Sequence, residues 1–176
     1  DNVKPPHAIQ GTKTDLKNLP EGDPVIVWFG HSSYLIKIEG RHVLVDPVFS
    51  GYASPFQIQS AKSFDGTDIY AVDDLPHIDI LLITHDHYDH CDYKTIVKLG
   101  SKVGYILTSL GVGSHLEFWG IDSAKIMELD WHESFEKDGL KFWSAPARHF
   151  SGRTFVRFKT LWSSFILKAG KHSIYI

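Results

Sequence analysis

Apolar residues come first in short runs broken by turns, then alternate with helical stretches, then return to short runs. Val25-Ile26-Val27-Trp28-Phe29 reads as a strand, Gly30-His31-Ser32-Ser33 as a turn, and Tyr34-Leu35-Ile36-Lys37-Ile38-Glu39 as a second strand. Gly40-Arg41 connects tightly to Val43-Leu44-Val45, which stops at Asp46-Pro47. β-branched runs punctuated by glycine predict an antiparallel meander. Ile78 to Thr84 reads as a buried strand, Asp92 to Leu99 as a helix capped by Gly100, and Val103 to Leu107 as a strand. A second short helix is expected from Val112 to Trp119, closed by Gly120. Further strands are expected at Lys125 to Leu129, Leu140 to Ala145, Thr154 to Phe158, Ser164 to Lys168 and Ser173 to Ile176. Hairpins, then strand-helix alternation, then hairpins predict a layered α/β sandwich rather than a doubly wound parallel sheet.

Two stretches lack this periodicity. Residues 1–24 are rich in proline and glycine and read as an extended lead-in to a domain over 25–176. Phe49 to Asp74 is loop-like, and its Tyr52, Phe56 and Phe64 predict a packed lid or pocket wall. No strand is followed by a glycine-rich phosphate loop, which leaves nucleotide binding without support.

With 176 residues and 43% hydrophobic composition, the chain has material for one globular core. A net charge of -3 gives no basic footprint for nucleic acid, and no such partner is expected. Cys91 is alone, so no intrachain disulfide can form. No apolar run approaches the roughly 18 to 20 residues that span a bilayer. The chain opens on Asp1 without a signal peptide, which reads as a processed or trimmed end, and leaves cytoplasmic and membrane-associated locations both open.

The chemistry concentrates in Thr84-His85-Asp86-His87-Tyr88-Asp89-His90, directly after the strand that opens at Ile78. Three imidazoles and two carboxylates at such density suit zinc or a similar divalent metal. In extended chain, residues i and i+2 project to one side, so His85 and His87 can converge on one ion. Asp89 and His90 follow as the chain turns toward the helix and can face a second ion. Asp86 points the other way and reads as structural.

This stretch resembles the signature of the metallo-β-lactamase superfamily, His-x-His-x-Asp-His between a strand and a helix. Gly30-His31-Ser32-Ser33, Val45-Asp46-Pro47-Val48-Phe49, Ala53-Ser54-Pro55, Glu128-Leu129-Asp130-Trp131 and Ala147-Arg148-His149 look like the branch containing N-acyl-phosphatidylethanolamine-hydrolysing phospholipase D. The resemblance implies a four-layer αββα sandwich with two metals; by ligand type zinc comes first, with manganese or iron as alternatives. It assigns His85, His87 and His149 to one metal, and Asp89 and His90 to the other. Asp46 and His31 are then candidates to hold the ligands from behind, and Tyr88, Arg148 and His115 to touch substrate. Arg153 is expected to be a surface residue.

Two such cations would lower the pKa of a shared water and supply a hydroxide, oriented by Asp89, for attack on phosphorus or a carbonyl carbon. The branch implies a lipid-like phosphodiester substrate. A lactone or amide hydrolase of the same fold, and a metal-binding module without turnover, are the alternatives. The family's bridging Asp in a Gly-Asp turn and its final His have no counterpart before Ile176. The chain is therefore expected to be an N-terminal fragment, inactive alone and holding little of the second sheet, with an apolar face that its missing C-terminal part would cover. Peripheral membrane contact and homo-oligomerisation stay open.

Overall fold

The computed structural model describes residues 6–8, 10–56 and 58–176. The first sheet has six strands in sequential order: β1 (Val25–Gly30), β2 (Ser33–Ile38), β3 (Arg41–Val45), β4 (Ile78–Ile83), β5 (Val103–Ser109) and β6 (Ile126–Leu129). β1, β2 and β3 pair antiparallel, whereas β3 to β6 run parallel. Parallel neighbours need crossovers. α1 (Tyr93–Leu99) supplies one between β4 and β5, and α2 (Gly113–Phe118) another between β5 and β6.

Asp92 starts α1 by accepting the Lys94 N–H at 3.2 Å, and Gly100 ends it at φ 44°. The second sheet is antiparallel, in the order β12 (His172–Tyr175), β11 (Ser163–Ala169), β8 (Leu140–Pro146), β7 (Ser134–Lys137). A short hairpin, β9 (Gly152–Arg153) and β10 (Val156–Arg157), lies between β8 and β11.

Successive residues of a strand face opposite sides, and both faces of the first sheet are buried. Leu35, Leu44, Leu81 and Ile106 point toward the helices, where Ile96, Leu99 and Leu116 meet them. Ile36, Val43, Val45, Leu82 and Leu107 point the other way, onto Phe142, Phe165 and Leu167 of the second sheet. Burial on both sides is why these strands read as continuous apolar runs.

Three sequence expectations change. The second sheet is not nearly absent: four strands of it are in place, and they cover the inner face that was expected to lie bare. β7 escaped notice because Ser134-Phe135-Glu136-Lys137 puts a single apolar residue among polar ones, at a sheet edge. The strand expected over 154–158 is the small hairpin instead, since Thr154 and Phe158 adopt left-handed backbone at φ 58° and 59°. The lead-in is also tied down, as Leu16 and Leu19 are buried in the helix-side core. Its first five residues and Ile9 lie outside the described residues. Among those described, helices cover one face of the sandwich, giving three of the four expected layers. None of these helices is long and apolar enough to cross a membrane.

Candidate metal centre

In open α/β sheets, ligand sites form beyond the carboxyl ends of parallel strands. Here β3 ends into Asp46 and β4 into Thr84-His85, while β8 of the other sheet delivers Ala147-Arg148-His149 to the same place. Three ring nitrogens meet there. His85 Nε2 lies 2.9 Å from His87 Nδ1 and 3.0 Å from His149 Nε2, and the last two are 3.3 Å apart. Ligands at zinc's ordinary 2.0–2.1 Å bond length sit about 3.3 Å from one another in a tetrahedron.

Hydrogen bonds elsewhere fix the tautomer at one corner of this triangle. The Thr84 hydroxyl donates to Asp46 Oδ2 at 2.7 Å, so its contact with His85 Nδ1 at 2.9 Å requires the imidazole to be the donor. Nε2 of His85 is then an unprotonated lone pair, facing two more ring nitrogens. Burial, followed by the charges that His90, His87 and His149 would carry, pushes the His85 pKa down to about 2. Burial and then His149 lower that of His87. Neutral imidazoles whose ring nitrogens converge are what a borderline divalent cation binds, and the residues fit one.

A second cluster adjoins the first, with the His85 and His90 ring centroids 4.1 Å apart. His31, Asp89 and His90 each bring a donor atom within 4.8 Å of the others. His31 Nε2 is 3.0 Å from Asp89 Oδ2, and His90 Nε2 is 3.9 Å from it. His31 is thus placed beside the donors rather than behind them. The turn that aims it puts His31 at φ 46°, a left-handed conformation that His adopts more readily than most side chains.

Asp46 sits behind both clusters. It is buried, at φ 40°, and its carboxylate accepts the Thr84 N–H at 2.8 Å, the Thr84 hydroxyl at 2.7 Å and His90 Nδ1–H at 2.8 Å. One carboxylate therefore fixes the tautomer of His90 directly and that of His85 through Thr84. Burial alone would lower the His90 pKa, but the Asp46 hydrogen bond and the charges of Asp46 and Asp89 outweigh it and raise the value. The relaying Thr84 had no role in the sequence reading, because a Thr closing a buried strand carries no signal of its own.

The other candidates divide by position. Asp86 is buried away from the donors, accepting the Gly152 N–H at 2.7 Å and lying 3.3 Å from His115 Nε2. Burial raises its pKa, but the bonds from His115 and Gly152 pull it below the ordinary range. His115 therefore holds the loop from outside, stacked on Trp119. Tyr88 Oη accepts the Thr154 N–H at 3.2 Å. Neither Tyr88 nor His115 lines the cavity at the donor clusters, and Arg148 is exposed and outside it as well. Arg153, expected at the surface, is half-buried, with its guanidinium against Tyr88 and Trp119.

That cavity measures about 540 Å³ and is walled by Trp28, His31, Asp46, His85, His90, His149, Trp162 and Ile176. A second hollow of about 410 Å³ shares Trp28 and His31 with it and reaches Asp89. Phe29, Phe49, Tyr52, Phe64 and Tyr70 make it aromatic, which places part of the 49–74 loop as a wall. Phe56 of the same loop points to solvent. Trp28 lines both hollows and Trp162 the first, while Tyr88, Trp119, Trp131 and Phe150 line neither.

A mixed sheet capped by helices on one face and a second sheet on the other, with a three-histidine cluster and a His-Asp-His cluster at the strand ends, defines a metallo-β-lactamase-type fold. The chain belongs to the beta-lactamase superfamily: the family's domain model matches residues 41–176. It is 41% identical over 162 residues to an uncharacterised protein of Mycobacterium tuberculosis, covering 90% of this chain and 43% of the relative. It is 31% identical over 163 residues to N-acyl-phosphatidylethanolamine-hydrolyzing phospholipase D 1 of Caenorhabditis elegans, covering 87% of this chain and 44% of that protein. CmlA, a diiron beta-hydroxylase from Streptomyces venezuelae, shares the fold at TM-score 0.65 and 24% identity, over 90% of this chain and 30% of CmlA. The chain thus spans less than half the length of these curated relatives.

Proposed function

We propose that the whole protein containing this chain is a metal-dependent hydrolase acting on a lipid-like phosphodiester. The observation that carries this is the pair of adjoining donor clusters, His85/His87/His149 and His31/Asp89/His90, with His85, His149, His31 and His90 lining one cavity that an aromatic hollow, reaching Asp89, joins at Trp28 and His31. When bound, two divalent cations, zinc by ligand type, supply an activated water at neutral pH and polarise the substrate oxygen. The chain's own residues do the rest. Asp46 and Thr84 keep the lone pairs of His85 and His90 aimed inward. Asp89, beside His31, would orient the nucleophile, and the aromatic hollow would take an apolar substituent out of water.

Substrate reaching the site from a membrane surface is part of the same proposal. Phe155, Val156 and Phe158 are exposed on the hairpin near the site, with Arg157 between them. Phe158 packs on Phe150, which packs on His87.

The test is hydrolysis by the full-length protein of an alkyl phosphodiester series and a lactone series, with metal content measured in parallel. Wild type is expected to bind metal and favour long-chain phosphodiesters; His87→Ala is expected to lose metal from the three-histidine cluster and all turnover. Preference for lactones would replace the substrate assignment. Metal binding without turnover on either series would leave a binding module and overturn the hydrolase.

A further inference from the structure

Arg153 ties together the backbone on either side of the His87–His90 segment of the histidine loop. Its Nη1 donates to the Asp86 carbonyl at 2.7 Å and to the Cys91 carbonyl at 2.8 Å. Those carbonyls bracket His87, Tyr88, Asp89 and His90, the segment that contributes to both donor clusters. The guanidinium carbon lies 4.1 Å from the Tyr88 ring centroid and 5.1 Å from that of Trp119. Among the described residues, no carboxylate lies within ion-pair distance of Arg153.

A guanidinium usually seeks a carboxylate or phosphate, where its fork binds in two places. Here it is spent on backbone. The neighbouring residues repeat the attachment: Gly152 N–H binds the Asp86 carboxylate at 2.7 Å, and Thr154 N–H binds Tyr88 Oη at 3.2 Å. Three consecutive residues of one hairpin thus hold three points of the loop, and Val156 pairs with Arg153 to keep the hairpin closed. Among the described residues, the backbone hydrogen bonds that close the loop on itself are those of the His90 and Cys91 N–H groups, both donating to the His87 carbonyl. A loop tied so lightly to itself takes its shape from outside.

We propose that Arg153 is a positioning residue for the metal centre: by clamping the Asp86 and Cys91 carbonyls, it sets the spacing of His87, Asp89 and His90 before any cation arrives. It touches neither cavity and no donor atom, so it acts through the loop. The inference rests on the metal-centre reading.

The readout is zinc affinity, measured on the full-length, metal-stripped protein by competition with a chromophoric chelator. Arg153→Met keeps an unbranched apolar stem, though a shorter one, and removes the guanidinium donors. Loss of a residue that orients ligands from behind costs about 10- to 100-fold in metal affinity. The expected result is a loss in that range at both clusters, with the metal-free circular dichroism spectrum unchanged. Arg153→Lys keeps the charge without the planar fork, and is expected to lose affinity too. In Arg153→Ala, added ethylguanidinium is expected to recover affinity where ethylammonium does not, a rescue that a general packing defect would not show. If Arg153→Met does not fold, the Lys and rescued Ala variants decide. Wild-type zinc affinity in any folded variant, or rescue by both amines alike, overturns the proposal. Failure of the wild-type protein to bind zinc would instead remove the metal-centre reading beneath it.

Discussion

Replacing Asp46 with Asn probes how one buried carboxylate serves both clusters. The exchange preserves volume, and Asn tolerates the left-handed backbone at φ 40°. Its amide oxygen can still accept the Thr84 N–H. The amide nitrogen, however, falls where Oδ2 received the Thr84 hydroxyl and His90 Nδ1–H. Three donors then share one place, and relief requires the hydroxyl to swing away and His90 to change tautomer. The proton of His90 moves to Nε2, the nitrogen facing Asp89, and occupies its donor lone pair.

Two charge-assisted bonds, about 1.5–3 kcal/mol each, are exposed to loss, and reversal of the two donors recovers part of it. A net cost of about 1–3 kcal/mol is expected from urea unfolding of the metal-free protein. Metal affinity is expected to fall about 10- to 100-fold by chelator competition. Asp46→Ala, which leaves buried donors with no partner at all, should cost more, about 3–5 kcal/mol. Wild-type affinity in Asp46→Asn, or an Ala variant no less stable than the Asn one, would refute this reasoning.

Two further predictions concern the scaffold. Burial raises the Cys91 thiol pKa to about 12, so its thiolate fraction at pH 8 is about a thousandth of that of a thiol at 9. Alkylation of the folded chain should be slower than that of a free thiol by at least that factor, since the buried sulfur is also shielded from reagent; a rate matching glutathione would disprove it. Phe142→Ala, in the core between the sheets, should cost about 3–5 kcal/mol in urea unfolding with the m-value unchanged, whereas Phe155→Ala, fully exposed, should fall within about 0.5 kcal/mol of wild type. Equal costs for the two would show that the sheets do not share that core.

Much of this was legible in the chain because it rests on local signals. Asp92 and Gly100 mark the ends of the first helix by cap chemistry, and β2 to β5 announce themselves as apolar runs because both their faces are buried. β7 gave no such signal, since an edge strand with one apolar residue resembles a loop. The second sheet was underestimated for the same reason: whether separate strands join one sheet is decided by pairing, which sequence neighbours do not report.

The opening cluster behaved likewise. That His85 and His87 face one way and Asp86 the other follows from the period of extended chain, and the sequence by itself determined it. The fold alone decided that His149 arrives 3.0 Å from His85, that His31 joins Asp89, and that Asp46 is wired to two imidazoles. Arg153 is the clearest case. Its residue type and its neighbours suit a surface cation, and only the return of the chain between β8 and β11 brings it against the loop. Spacing along the chain fixes what a few bonds can reach; contacts over more than 60 residues depend on how the sheets pack.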